Sequence, residues 1–169
     1  MPSRPRKPRA GVPRQAADPP ARRKKGFTLV DVVAALAIVA LLASVSVPSY
    51  RAYLLRAHRS EARAALLALA AVEEGFHTTC NAYASVLDDT TESSCDTSSL
   101  KFPVIVGQDA YSLDVTSADA AAWAAIATAI AGGPQQADDR CRALGLTSTG
   151  NRTARAADGT ASHVECWAR

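Results

Sequence analysis

The chain has 169 residues, room for one domain with appendages. Its 19 Lys/Arg and 16 Asp/Glu are unevenly spread: nine of the former, but only Asp18 of the latter, lie in the first 26 positions. The leader is therefore +8 and the remainder −5, which excludes reading the basic balance of the whole chain as a general affinity for nucleic acid.

Residues 1–26 are rich in Pro and Arg, a composition that neither sustains a helix nor buries apolar surface, and they read as a disordered cytoplasmic leader. Phe27 to Val47 follows as 21 residues with one charge, Asp31, long enough as a helix to cross a hydrocarbon core of about 30 Å. The positive leader keeps the N-terminus in the cytoplasm and directs the C-terminus outward. A lone acid in such a span is costly in lipid, which makes Asp31 a functional-site candidate. Small residues (Ala34, Ala35, Ala37, Ala40, Ala43, Ser44) alternate with Val, Leu and Ile, so copies of this helix can approach one another closely.

Pro48 removes a backbone donor and is expected to kink the helix. Residues 48–79 continue helical but amphipathic, with Arg51, Arg56, Arg59 and Arg63 within roughly 140° of one another on a helical wheel. The opposite face (Tyr50, Tyr53, Leu54, Ala57, Ala64, Ala68, Ala71, Val72) is the expected seat of a sheet. The arginine face is expected to be solvated or to touch other subunits, with anionic lipid near Arg51 as a second reading. The helix is expected to end between Gly75 and Thr79. Residues 80–101 are polar and read as a connecting loop bracketed by Cys80 and Cys95; a bridge between these two constrains the unfolded chain by about 3 kcal/mol in the loop-entropy model.

Residues 102–169 read as sheet. Val104 to Val106 is β-branched, and Tyr111, Leu113 and Val115 alternate with Ser112, Asp114 and Thr116. Ala120 to Ala131 is ambiguous by residue type, with high helix propensity and Asp119 as a potential cap, and Gly132-Gly133-Pro134 ends it. Four cysteines, all beyond the apolar run, suit an oxidising compartment; they allow three pairings, and spacing does not choose among them.

No catalytic constellation emerges, and no cofactor or metal site is expected. His58, His77 and His163 lack the spacing of a zinc site and read as surface or filler residues. Asp88-Asp89 and Asp138-Asp139 have no EF-hand pattern and read as solvated loop charge.

The stretch Lys24-Lys25-Gly26-Phe27-Thr28-Leu29-Val30-Asp31, with the apolar run behind it, resembles the prepilin cleavage motif of type IV pilins. The resemblance implies that a membrane peptidase cuts after Gly26 and that the new N-terminal residue, Phe27, is N-methylated. Asp31 occupies the place where the family carries a glutamate, one methylene longer, that compensates the N-terminal amine of a neighbouring subunit. Pro48 falls where many pilins also carry proline. Tyr111 to Thr116, Ala122 to Ile130, Gly132 to Pro134, Cys141, Leu144 to Gly150 and Cys166-Trp167 are similar to the globular half of type IVa pilins and pilin-like proteins. That likeness makes Ala122 to Ile130 a strand and pairs Cys141 with Cys166, after which Cys80–Cys95 is the simplest second bridge.

The implied fold is α+β, a long N-terminal helix (27–79) packed on a C-terminal antiparallel sheet (102–169) with a disulfide loop. The implied protein is a structural pilus subunit, minor or major, supporting adhesion, twitching motility or DNA uptake. Its implied partners are other pilins, the prepilin peptidase and methyltransferase, the inner-membrane assembly platform and, before assembly, the membrane itself. The implied location is the inner membrane of a Gram-negative bacterium, with the C-terminal domain periplasmic, and afterwards the extracellular filament. Arg140, Arg142, Arg152 and Arg155, in and beside the C-terminal loop, are candidate contacts to DNA phosphates. Two other readings are a pseudopilin of type II secretion and an uncleaved, single-pass, membrane-anchored periplasmic binding domain.

Overall fold

A computed structural model describes residues 26–168, so the leader read at positions 1–25 lies outside the described residues. The described residues fall into two units, one ending at Leu41 and the other beginning at Leu42. One helix, α1 (Leu29–Cys80), has residues in each.

In the first unit Thr28 caps α1. Its backbone N–H and hydroxyl both donate to Asp31 Oδ2 (3.0 and 2.8 Å), and Asp31 N–H donates back to Thr28 Oγ1 at 3.3 Å. This reciprocal arrangement satisfies two donors that a helix start otherwise leaves unpaired. Phe27, Leu29, Val30, Leu36 and Ile38 all stand exposed, a surface apolar enough for a membrane by length and composition.

In the second unit the helix buries one stripe, His58, Ala62, Leu66, Leu69, Glu73 and Phe76. The steps of four, four, three, four and three residues keep this stripe within roughly 80° of the wheel. It lies against the inner side of a five-stranded antiparallel sheet ordered β3 (Ile105–Val106), β4 (Tyr111–Ala118), β5 (Trp123–Ala129), β6 (Ala143–Thr147) and β7 (Arg152–Arg155). Tyr111, Leu113 and Val115 point inward from β4, Trp123, Ala125 and Ala127 from β5, Leu144 and Leu146 from β6 and Ala154 from β7. The α+β architecture is thus the one the sequence implies.

The seat of the sheet differs from the expected face. Tyr50 and Tyr53 are about 60% exposed, Val72 is 40% exposed, and Ala64, Ala68 and Ala71 face out as well. The sheet instead sits beside the arginine face, because the branched and aromatic residues Leu66, Leu69 and Phe76 bury far more area than the alanines of the expected face. His58 and Glu73, one step apart from these on the wheel, are carried inside with them.

β5 shows tertiary context overriding propensity. Its alanines favour helix, yet as a central strand it is hydrogen-bonded on both sides, to β4 and β6, and its small inward side chains fit under α1. The turn after it needs Gly133: a Cβ there would lie 2.8 Å from the Asp109 carbonyl oxygen. The segment 80–101, expected as loop alone, also contains a two-stranded parallel ribbon, β1 (Val86–Asp88) with β2 (Ser99–Lys101). Its strands of three residues are too short for periodicity to reveal.

The two bridges join Cys80 to Cys95 and Cys141 to Cys166, with Cα separations of 5.3 and 5.7 Å. The second encloses β6, β7 and the start of a short helix, α2 (His163–Trp167), at the C-terminal end.

Candidate functional site

The chemistry-bearing side chains gather where α1 meets the connection between β5 and β6 and where it meets the C-terminal loop. At the first place Arg59, 17% exposed, makes a two-pronged pair with Asp138, 2% exposed: Nε to Oδ2 at 2.5 Å and Nη2 to Oδ1 at 2.7 Å. Asp138 Oδ1 also accepts the backbone N–H groups of Arg140 and Cys141, each at 3.1 Å, and Oδ2 accepts the Gln135 amide at 2.5 Å. Gln135 lies on a 3-10 turn, Pro134–Ala137, and its Oε1 is 3.2 Å from His58 Nδ1. Tyr111 donates its hydroxyl to the Cys141 carbonyl at 2.8 Å.

This buried network corrects two expectations and decides between the two alternatives, surface or filler, for His58. Asp138 is paired rather than solvated, Arg59 faces protein rather than solvent or a neighbour, and His58 is interior. Burial alone would raise the Asp138 carboxyl, but the hydrogen bonds and charge of Arg59, with the two backbone N–H groups, outweigh it and hold the group below its usual range. The Tyr111 hydroxyl is pushed well up, by burial first and the Asp138 charge second. A network with this many mutual hydrogen bonds ties α1 to the β5–β6 connection.

The sequence could have shown this place only through the buried stripe, since Arg59 and Asp138 are 79 residues apart. Near the far end of α1, Glu73 is fully buried and accepts Ala84 N–H at 2.9 Å through Oε2, while Oε1 has no partner. Desolvation raises its carboxyl above the usual value despite that hydrogen bond, and the neighbouring Glu74 adds to the rise.

The four candidate arginines are spread around the C-terminal loop. Arg140 pairs with Glu165 at 3.2 Å and Arg142 with Asp139 at 3.6 Å, both at the surface. Arg152 and Arg155 come from β7, an edge strand that the sequence did not disclose. Successive strand residues alternate faces, so Arg152 and buried Ala154 share the α1 side, while Arg155 is exposed on the outer side with Thr153. The Arg152 guanidinium lies 5.3 Å from the ring centroid of Trp167. The structure therefore does not gather all four into one patch.

His77 touches the Ala120 carbonyl and stacks on Tyr83, and His163 begins α2. Asp88 is a turn residue, its carboxyl held low by hydrogen bonds from Thr90 and Thr91. Among the described residues no three His, Cys, Asp or Glu side chains converge as a metal site.

A family model described as type IV minor pilin ComP, DNA uptake sequence receptor, matches residues 48–145. The match begins at Pro48 and ends at Gly145 within β6, covering the amphipathic half of α1 and most of the sheet. No curated protein matches the chain.

Proposed function

Since this chain belongs to the type IV minor pilin family, whose members are structural pilus subunits, we propose that it carries the DNA-contacting surface of its filament and acts in DNA uptake. The single observation behind the DNA reading is the family match. What supports it in the molecule is the exposed positive charge at the C-terminal loop, Arg140, Arg152 and Arg155, on a mature chain that is otherwise acidic. Such a chain would contact phosphates through a few separate arginines rather than a general basic field, with binding that weakens as salt rises. Adhesion and twitching motility belong to the assembled filament and have no dedicated surface in this reading.

The route to the filament follows from α1. Cleavage after Gly26 frees Phe27 for methylation. Residues 27–47 hold the subunit in the inner membrane, with its C-terminal unit in the periplasm, until the assembly platform draws it into a helical bundle with other pilins. Pro48 is the joint of that helix, and Asp31 is the charge that meets a neighbour's N-terminal amine. The exposed face carrying Tyr50, Tyr53, Ala64, Ala68 and Val72 is available for neighbouring helices. The match to a pilin family favours this reading over a type II secretion pseudopilin. Cleavage at Gly26 separates it from an uncleaved anchored domain.

The test is deletion of this gene in the native cell, followed by filament imaging and uptake of labelled DNA. Loss of uptake with filaments still present supports the reading; normal uptake overturns it. Mass spectrometry of sheared filaments, finding the chain in trace amount and beginning at a methylated Phe27, supports the assigned processing.

A further inference from the structure

A groove of about 300 Å³ runs between α1 and the C-terminal end of the chain, lined by Ser60, Arg63, Ala64, Leu67, Arg152 and Trp167. Its floor is apolar, from Ala64 and Leu67, and its walls carry two guanidinium groups. Among the described residues neither Arg63 nor Arg152 pairs with a carboxylate, whereas Arg59, Arg140 and Arg142 pair with Asp138, Glu165 and Asp139. Arg63 is held in place by donating from Nε to the Arg59 carbonyl at 3.2 Å and from Nη1 to the Ala168 carbonyl, which engages two of its five N–H donors.

Trp167 is equally fixed. It follows Cys166, whose bridge to Cys141 is buried, and its Nε1–H donates to the Thr153 carbonyl at 2.8 Å. The Arg152 guanidinium lies over its ring, 5.3 Å from the centroid, so the groove presents a cation–π pair with the arginine exposed. Two un-neutralised guanidinium groups suit one phosphate, and an indole ring with a guanidinium over it, beside the apolar side chains of Ala64 and Leu67, suits one planar heterocycle. The volume suits a small ligand rather than a double helix.

We propose that this groove holds one nucleotide outside a base-paired stack, its phosphate between Arg63 and Arg152 and its base against the Arg152–Trp167 pair. The proposal rests on the DNA reading above. It adds to that reading a second, helix-borne contact point that distinguishes unpaired from paired DNA, and it separates Arg152 from Arg155, which points to the other side of the sheet.

The test uses the mature chain extracted from membranes in detergent micelles. Its probes are a short fluorescent oligothymidylate, a duplex of equal length, and inorganic phosphate as competitor. Quenching of indole fluorescence reports on Trp167, because the second tryptophan, Trp123, is 2% exposed. Arg152→Gln and Trp167→Leu are each expected to weaken single-strand binding about tenfold while changing duplex binding less than about twofold. Arg63→Gln is expected to behave as Arg152→Gln does, whereas Arg155→Gln is expected to leave the ratio of single-strand to duplex affinity unchanged. Inorganic phosphate is expected to compete weakly, since it lacks the base.

Unchanged single-strand affinity in all three groove variants overturns the groove and leaves the DNA reading standing. Equal losses for strand and duplex overturn the unpaired-nucleotide assignment. A wild-type chain that binds neither probe overturns both readings.

Discussion

The pair joining α1 to the β5–β6 connection allows a quantitative prediction. Asp138→Ala removes an anion that is 2% exposed and leaves the Arg59 guanidinium, 17% exposed, without a counter-charge. It also leaves the Cys141 N–H, at a fully buried residue, and the Gln135 amide without their acceptor. Breaking a buried pair from one side costs about 3–5 kcal/mol, because the surviving charge stays desolvated. For a unit of this size that is a fall in Tm of roughly 10–20 °C.

Arg59→Met is expected to cost less, about 2–3 kcal/mol, since Asp138 retains three N–H donors. The double variant is expected to fall short of the sum by at least about 1 kcal/mol, as residues of one network do. The assay is thermal unfolding by circular dichroism of the mature chain in detergent. The pH dependence has a definite sign. A carboxyl held below its unfolded value means that the unfolded state binds the proton more readily, so the contribution is present at neutral pH and fades as acid protonates Asp138. The gap between wild type and Asp138→Ala should therefore narrow below about pH 4. A loss under about 1 kcal/mol for Asp138→Ala, or strict additivity in the cycle, would refute the view of this network as the tie between helix and sheet.

Glu73 has the opposite sign: its carboxyl is raised above 4.5, so the folded state holds the proton and wild-type stability should fall as pH climbs above that value. Glu73→Gln should flatten this dependence in denaturant titrations run between pH 4 and 8; a wild-type curve already flat contradicts the assignment. Cys141 and Cys166 are buried, whereas Cys95 is exposed, so mild reductant with an alkylating mass tag should mark Cys80 and Cys95 first. Simultaneous labelling of all four would show that exposure does not control their reduction. At the N-terminus, Gly26→Val should leave full-length precursor in the membrane, and Asp31→Ala should permit cleavage while lowering incorporation into filaments. A mature mass in the first variant, or normal incorporation of the second, would remove those roles.

Much of the fold was legible because its signals are local. The apolar run from Phe27 to Val47 and the alternation Tyr111, Leu113, Val115 each need only a few neighbouring residues to be read. β5 was a different matter, since Trp123 to Ala129 has the composition of a helix, and only the likeness to pilins pointed to a strand. The sheet-facing stripe was hidden for a physical reason: His58 and Glu73 interrupt it, and a polar residue on a wheel counts as solvent-facing although hydrogen bonds here let both go inside. The polar network was illegible in principle, because Arg59 and Asp138 meet only once the chain has folded. The groove was partly visible. Arg152 and Trp167 stand out in the sequence, but nothing there places Arg63, about ninety positions earlier, beside them.

The β1–β2 ribbon has a consequence for how the protein can change over generations. Leu100 and Phe102 anchor it in the core, Leu87 packs against that core, and the Cys80–Cys95 bridge closes its base. Between these anchors the stretch from Asp89 to Ser94, which stops short of Cys95, is almost wholly at the surface, with hydrogen bonds that stay mostly within the ribbon or its own turn. Substitutions and short insertions there cost the sheet nothing, so the segment can drift, or be exchanged for a tag or epitope, while the scaffold stays as it is.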